Sequence, residues 1–353
     1  MHLPSGGMQP VTCNGPDDTV HLAWLQGDPK GADVYYQALP AGVTNGSAPI
    51  RVNSTTDTGI AVGTVRGVTV ALGRKSAVHI VWNGSSAAAM DSKQGSPVFY
   101  SHLGADRKSF QKPVNLSGRT ANLDGGASVA ADREGRVFVV WHAQPIAETG
   151  GEAQRRVFLA ASSDDGETFQ PERVVSLENG VCGCCGLRAF SGPEGQLFIL
   201  YRAALSATDR PMRLIVSRDH GLTFQPVLTD AWESGGCPMS TSASFSAAGQ
   251  TVAAWETRSE IKLAYLESVK VSRSLIISEG DGNKHPALAI NSRGESLCAW
   301  AAGTGWGHGG AVKWRLLGAN GTPAGPILQQ DGLSVWNFPA ALARPDGTFV
   351  IVY

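Results

Sequence analysis

One short apolar segment closing on an aromatic residue returns seven times along the chain, and that return limits the fold more than any other feature. It reads Val20-His21-Leu22-Ala23-Trp24, Val78-His79-Ile80-Val81-Trp82, Val137-Phe138-Val139-Val140-Trp141 and Leu197-Phe198-Ile199-Leu200-Tyr201. It continues as Val252-Ala253-Ala254-Trp255, Leu297-Cys298-Ala299-Trp300 and Phe349-Val350-Ile351-Val352-Tyr353. The six intervals from Trp24 to Tyr353 average about 55 residues, the spacing of β-propeller blades.

Around these segments the other strands of a blade can be placed. Ser128 to Ala131, Ala287 to Ile290 and Ala340 to Ala343 each precede a turn carrying Asn or Asp with Gly, residues that tolerate positive φ. A variable loop follows each aromatic, then a third strand such as Val157 to Ala160 and a fourth such as Arg173 to Val175. Four strands per unit predicts an all-β propeller of four-stranded antiparallel blades over residues 1–353. Helical periodicity is absent, which excludes α/β alternatives. The count gives seven blades, with six and an irregular terminus as the alternative. The seventh unit stops after two strands at Tyr353, so the chain reads as cut short there, or as a ring closed by the segment before Gly6.

Composition bounds the function. Gly and Pro, 43 and 19 residues, suit frequent turns, and 42% hydrophobic against 17% charged residues supplies a sizeable core. With 29 basic and 30 acidic residues and no basic block, nothing favours nucleic acid. No apolar run is long enough for a spanning helix. Residues 1–10 lack the regions of a signal peptide, so an export signal would lie outside this numbering.

Two turns between third and fourth strands share the pattern Ser-x-Asp-x-Gly-x-Thr-aromatic: Ser162, Asp164, Gly166, Thr168 and Phe169, then Ser217, Asp219, Gly221, Thr223 and Phe224. Ser101 to Phe110 reads as a degenerate third copy. The Asp should bond turn N–H groups, the Gly allow the reversal, and the aromatic pack inward. The pattern resembles the Asp-box of the sialidase-like, or BNR-repeat, superfamily. In that superfamily the boxes are structural and lie on the side away from the active site. The resemblance implies a sialidase-like propeller, whose catalytic members carry three arginines for the substrate carboxylate, a Tyr/Glu pair and an acid/base Asp. The early Arg-Ile-Pro motif of those enzymes is missing here. Arg202 after Tyr201 and Arg258 after Trp255 are the arginines placed on the expected face, with Asp57, Asp124, Glu256 and Asp281 as candidate carboxylates for glycoside hydrolysis.

Four strands per blade return the chain to the same face, so the loops entering the inner strands converge on the mouth of the central channel. One of them carries Cys182, Cys184 and Cys185, with Gly183 and Gly186 expected to supply an unusual backbone; the next carries Cys237 and Met239, and another His285. Disulfides are the leading reading for the four cysteines. A Cu or Zn site with Met239 and His285 as further ligands, or reactive thiols, are the alternatives. Cys13 and Cys298 lie in strands and read as small core residues, as His21 and His79 read as packed blade residues. His142, His308, Trp306 and Trp336 fall on the functional face, where an indole could stack on a sugar. The expectation is a monomeric periplasmic or extracellular protein that binds a carbohydrate, another small ligand or a protein at this face. An exo-sialidase-like glycosidase is the alternative.

Overall fold

The repeated segments become the second strand of each sheet because every one of them is apolar on both sides, which only a sheet packed between two others accommodates. A computed structural model describes residues 1–4, 6–41, 46–62, 65–88, 95–148, 150–247 and 249–353. Among these residues the first four-stranded sheet is Gly7–Asn14, Val20–Asp28, Gly31–Leu39 and Ile50–Arg51. The fourth is Arg188–Ser191, Leu197–Arg202, Met212–Ser217 and Gln225–Asp230. The second, third, fifth and sixth repeat this antiparallel meander, the third gaining Thr120–Ala121 against the end of Val137–Pro145.

The seventh sheet has two strands, Ala340–Ala343 and Phe349–Val352. Its outer edge is met by the N-terminus: Leu3 N donates to Tyr353 O at 3.3 Å, Tyr353 N to Met1 O at 3.2 Å, and the Met1 ammonium to Ile351 O at 2.7 Å. Innermost strands contact one another in order around the axis, and Ala340–Ala343 meets Gly7–Asn14, with Thr12 Oγ1 donating to Ala341 O at 2.6 Å. The ring thus holds six complete four-stranded blades and a seventh sector joined by both ends of the chain. Helix is confined to the short 3-10 turns Arg74–Ser76, Ser86–Ala88 and Gly151–Gln154 among the described residues, and none is long enough to cross a membrane.

The core lies between blades. Trp82 packs with Ala23 and Leu25 of the preceding blade, Trp141 with Val81, and Trp24 with Ala340 and Leu342 across the closure. Trp24, Trp82, Trp141, Trp255 and Trp300 are fully buried, and most indole N–H groups find an acceptor, as in Trp300 Nε1 to Asn283 Oδ1 at 2.7 Å. Cys298 is buried in this core, whereas Cys13 is only half-buried. His21 and His79 are buried, each bonded through Nδ1 to a tyrosine hydroxyl, Tyr36 at 2.7 Å and Tyr100 at 2.8 Å.

The Ser-x-Asp-x-Gly-x-Thr turns close the third hairpins of blades three and four. Asp164 accepts from Thr168 N at 3.0 Å and from the Ser162 and Thr168 hydroxyls, while Ser162 Oγ accepts from Gly166 N at 2.9 Å. Asp219 and Ser217 repeat the arrangement with Thr223 and Gly221. Gly166 has φ 85°, and a Cβ there would overlap the Tyr100 hydroxyl at 1.7 Å, so the turn is fitted against the preceding blade. Phe169 stacks edge-on to Tyr100 with centroids 4.7 Å apart, and Phe224 packs on the core between blades three and four. Ser101 to Phe110 forms a different turn, in which Asp106 caps Lys108 N.

Candidate functional site

Strand direction alternates within each sheet, so the segments joining one blade to the next all emerge on the face opposite the two Ser-x-Asp turns. Near the axis on that face the loop before Arg188–Ser191 brings three sulfurs together. Cys182 Sγ lies 3.4 Å from Cys184 Sγ and 3.6 Å from Cys185 Sγ, and all three residues are buried. Cys184 is disulfide-bonded to Cys237 of the next joining loop, 53 residues on. Cys182 and Cys185 keep their thiols. The proton between these two stays with Cys182: its hydrogen bond to Cys185 raises the Cys182 thiol and holds Cys185 below the usual thiol range, burial opposing the latter.

The glycines of this loop act differently from the sequence expectation. Neither Gly183 nor Gly186 adopts positive φ. They are needed for close approach, since a Cβ on Gly183 would press on the Arg155 guanidinium at 3.3 Å and one on Gly186 on Thr241 at 3.2 Å. Gly183 N donates to Glu152 Oε1 at 2.7 Å, and Glu152 Oε2 in turn pairs with Arg210. Arg155, buried, reaches Asn122 O at 2.6 Å. Arg155, Arg210 and Glu152 are charged groups facing Cys182, as Arg202 and Glu256 face Cys185.

Arg202 and Glu256 are therefore not ligand groups on an open face. The Arg202 side chain is 0% exposed, donates to Arg210 O at 2.8 Å and to Glu256 O, and lies over the Trp232 ring at 4.6 Å. Its nearest carboxylate approach is 3.8 Å, to Glu256 Oε2, and burial pushes the Glu256 carboxyl up despite that neighbour. Arg258 sits at an exposed hairpin tip with φ 59°, its guanidinium near Ala231 O. Asp124 is paired with Arg66 at 3.0 Å, and Asp57 and Asp281 are exposed in separate joining loops.

His142 does not lie on the open face either. It is buried beneath the cysteine loop, Nε2 bonded to Cys185 O at 2.8 Å, and burial pushes it down to about 3, with Arg155 adding to the shift. His285 lies apart from the sulfurs, outside the donor group formed by Cys182, Cys184 and Cys185. Its Nδ1 accepts from Thr241 N at 3.2 Å, its ring packs on Phe338, and burial lowers it to about 3. Both imidazoles are neutral at neutral pH, His142 donating from Nε2 to the Cys185 carbonyl and His285 accepting at Nδ1.

Beside the sulfur cluster a small cleft opens among the loops of this face. Met239 packs on the cysteines from one side and lines the cleft on the other. His285, His308, Trp336 and Gln9 form further walls. Trp306, 63% exposed, stands edge-on to Trp336 with centroids 5.1 Å apart, and His308 is exposed at the tip of the same loop as Trp306. Gln9 lies outside the candidate residues named from the sequence. It staples the mouth: its side chain accepts from Gly67 N at 2.6 Å and donates to Ala61 O and Trp336 O, both at 3.1 Å. A signal was present, because Gln9-Pro10 and His285-Pro286 both open an inner strand, and each marks a bulge with a left-handed residue before proline.

No protein-family model matches the chain, and no curated protein matches its sequence. Solved structures share its fold. Trypanosoma rangeli sialidase aligns at 14% identity and TM-score 0.57, over 85% of this chain and 53% of that one. The Fusarium graminearum α-L-arabinofuranosidase Arb93A aligns at 10% identity and TM-score 0.56, over 90% and 94%. Aleuria aurantia lectin, in complex with Fucα1-6GlcNAc, aligns at 11% identity and TM-score 0.53, over 98% and 97%. The architecture is a sialidase-like β-propeller.

Proposed function

We propose that this chain is an exported propeller that binds a carbohydrate in the cleft beside the cysteine cluster. The observation that carries the reading is the Trp306–Trp336 pair: one indole is largely exposed and the other walls the cleft with His308 beside it. An apolar face next to fixed hydrogen-bonding groups is what a sugar ring requires. Similar folds include a lectin in complex with a fucosylated disaccharide and glycosidases, which supports a sugar over other small ligands. Export to the periplasm or outside the cell is supported by the Cys184–Cys237 disulfide, a bond that persists in oxidising compartments. The two Ser-x-Asp turns serve this reading as structural Asp-boxes on the opposite face.

Binding without hydrolysis is the better reading because the acids are unsuited to it. Hydrolysis needs two carboxyl groups about 5–9.5 Å apart flanking the bond. Glu256 is closed in by Arg202, Asp124 is paired with Arg66, and Asp57 and Asp281 are on different joining loops. An aryl sialoside should accordingly show no enzymatic turnover, and robust turnover would reverse the reading. For binding, a glycan array followed by calorimetry identifies the sugar. Trp306→Ala should then weaken it about tenfold, the loss of roughly 1.4 kcal/mol expected for uncovering one ring face. Unchanged affinity in Trp306→Ala, or no sugar bound at all, would reject the cleft.

A further inference from the structure

We infer that reduction of the Cys184–Cys237 bond turns the cluster into an all-sulfur site for one soft d10 cation, Cu(I) or Zn(II). Sulfurs bound to one ion at about 2.3 Å stand about 3.8 Å apart at the tetrahedral angle. Cys182 already lies 3.4 and 3.6 Å from the sulfurs of Cys184 and Cys185, and the three lie within 4.8 Å of one another. The fourth sulfur, Cys237, is bonded to Cys184 of this group, so opening the disulfide frees it beside the other three. No nitrogen or carboxylate oxygen belongs to the donor group among the described residues, which selects soft ions over Mg(II), Ca(II) or Mn(II).

The surroundings suit bound thiolates. Arg155, Arg202 and Arg210 lie near enough to Cys182 and Cys185 to favour thiolates electrostatically, while Met239 and Ala204 pack on the cysteines with apolar surface. The chemistry balances with an external dithiol or phosphine as reductant. The reductant gives two electrons and, with two protons, yields the Cys184 and Cys237 thiols; the ion then replaces the thiol protons of its ligands, which pass to solvent. Because Met239 also walls the cleft, the site would couple redox state to the shape of the ligand cleft.

The test compares oxidised protein with protein reduced anaerobically by a phosphine and freed of it. Each is titrated with Zn(II) against a chromophoric chelator and with Cu(I) against bicinchoninate. Metal-to-protein ratio after gel filtration and mass-spectrometric mapping of alkylated cysteines are the readouts. Reduced protein should retain about one ion per chain and protect Cys182, Cys184, Cys185 and Cys237 together, and oxidised protein should retain less than about a tenth of that. Whichever ion resists its chelator at the lower free concentration is the ion of the site. Cys182→Ser removes no disulfide, so it should leave circular dichroism unchanged and weaken binding by about tenfold or more; Cys185→Ser provides the same test should the first variant misfold. Reduced protein that holds neither ion, oxidised protein that holds one equally well, or a folded Cys182→Ser or Cys185→Ser variant with unchanged affinity would overturn the assignment.

Discussion

Removing either member of the Arg202–Glu256 pair should destabilise the protein, with a deficit that depends on pH for one member and not for the other. Both side chains are buried, and Arg202 Nε and Glu256 Oε2 make no hydrogen bond. Deleting one partner of a buried pair costs about 3–5 kcal/mol because the other charge is left uncompensated. At about 2.1 cal/mol/K per residue, a chain of 353 residues unfolds with roughly 0.74 kcal/mol/K, so the cost corresponds to a fall in Tm of about 4–7 °C. Glu256→Gln strands a guanidinium that cannot lose its proton, so the full deficit should persist from pH 5.5 to 8. Arg202→Met strands a carboxyl that can take up a proton, and burial already pushes Glu256 up. A raised folded pKa adds stability below the unfolded value and loses it as pH climbs through the folded one, so Arg202→Met should be milder at pH 5.5 than at pH 8. The double variant should lose less than the sum of the singles. Scanning calorimetry at both pH values decides. Singles within about 1 °C of the parent, or an Arg202→Met variant of normal Tm that has lost its ligand, would refute the structural assignment and return Arg202 to the binding face.

Two further outcomes follow from burial and hydrogen bonding. The hydroxyl and backbone of Thr168, with Ser162, hold Asp164 down at about 2; a depressed carboxyl contributes stability above its unfolded value, so that contribution should fade as pH drops from about 4 toward 2. Thermal scans of Asp164→Asn should show a lower Tm at neutral pH that converges on the parent in acid, with sugar affinity unchanged. His142 and His285, both lowered to about 3, should show no imidazole titration by NMR between pH 5 and 8; a midpoint near 6.5 in either would contradict the buried placement.

The blades were legible because a propeller repeats one local rule. An apolar second strand ending in Trp24, Trp82 or Trp141 and the Gly-bearing turns around it are short-range signals, and copies at a steady spacing reinforce one another. The gathering of Cys182, Cys184, Cys185 and Cys237 was legible for a topological reason: an even number of strands fixes the side on which each joining loop emerges, whatever the loop contains. What a repeat cannot convey is pairing within the cluster. Cys184 takes Cys237 while Cys182 and Cys185, as near in sequence, do not, a choice made by loop packing against Arg155, Thr241 and Glu152.

The misplaced residues share one cause. His142, Arg202 and Glu256 each follow the blade aromatic directly, and the expectation put them in loops on the open face. The strands run further: Val137–Pro145 contains His142, Leu197–Arg202 contains Arg202, and Gln250–Thr257 contains Glu256. In a two-layer fold, alternation along a strand would still expose one side chain in two. Here every sheet is covered on both faces by its neighbours, so the positions after the aromatic are buried whichever way they point, and polar residues there turn to nearby backbone carbonyls and charges. That is why Arg202 meets Glu256 and His142 meets the Cys185 carbonyl. Trp306, His308 and Trp336 lie beyond the last paired residues of their strands, in segments that the hydrophobic repeat does not govern. Under the carbohydrate-binding proposal the groups that would reach a ligand are thus those set past the strand ends, as Trp306, His308 and Trp336 are.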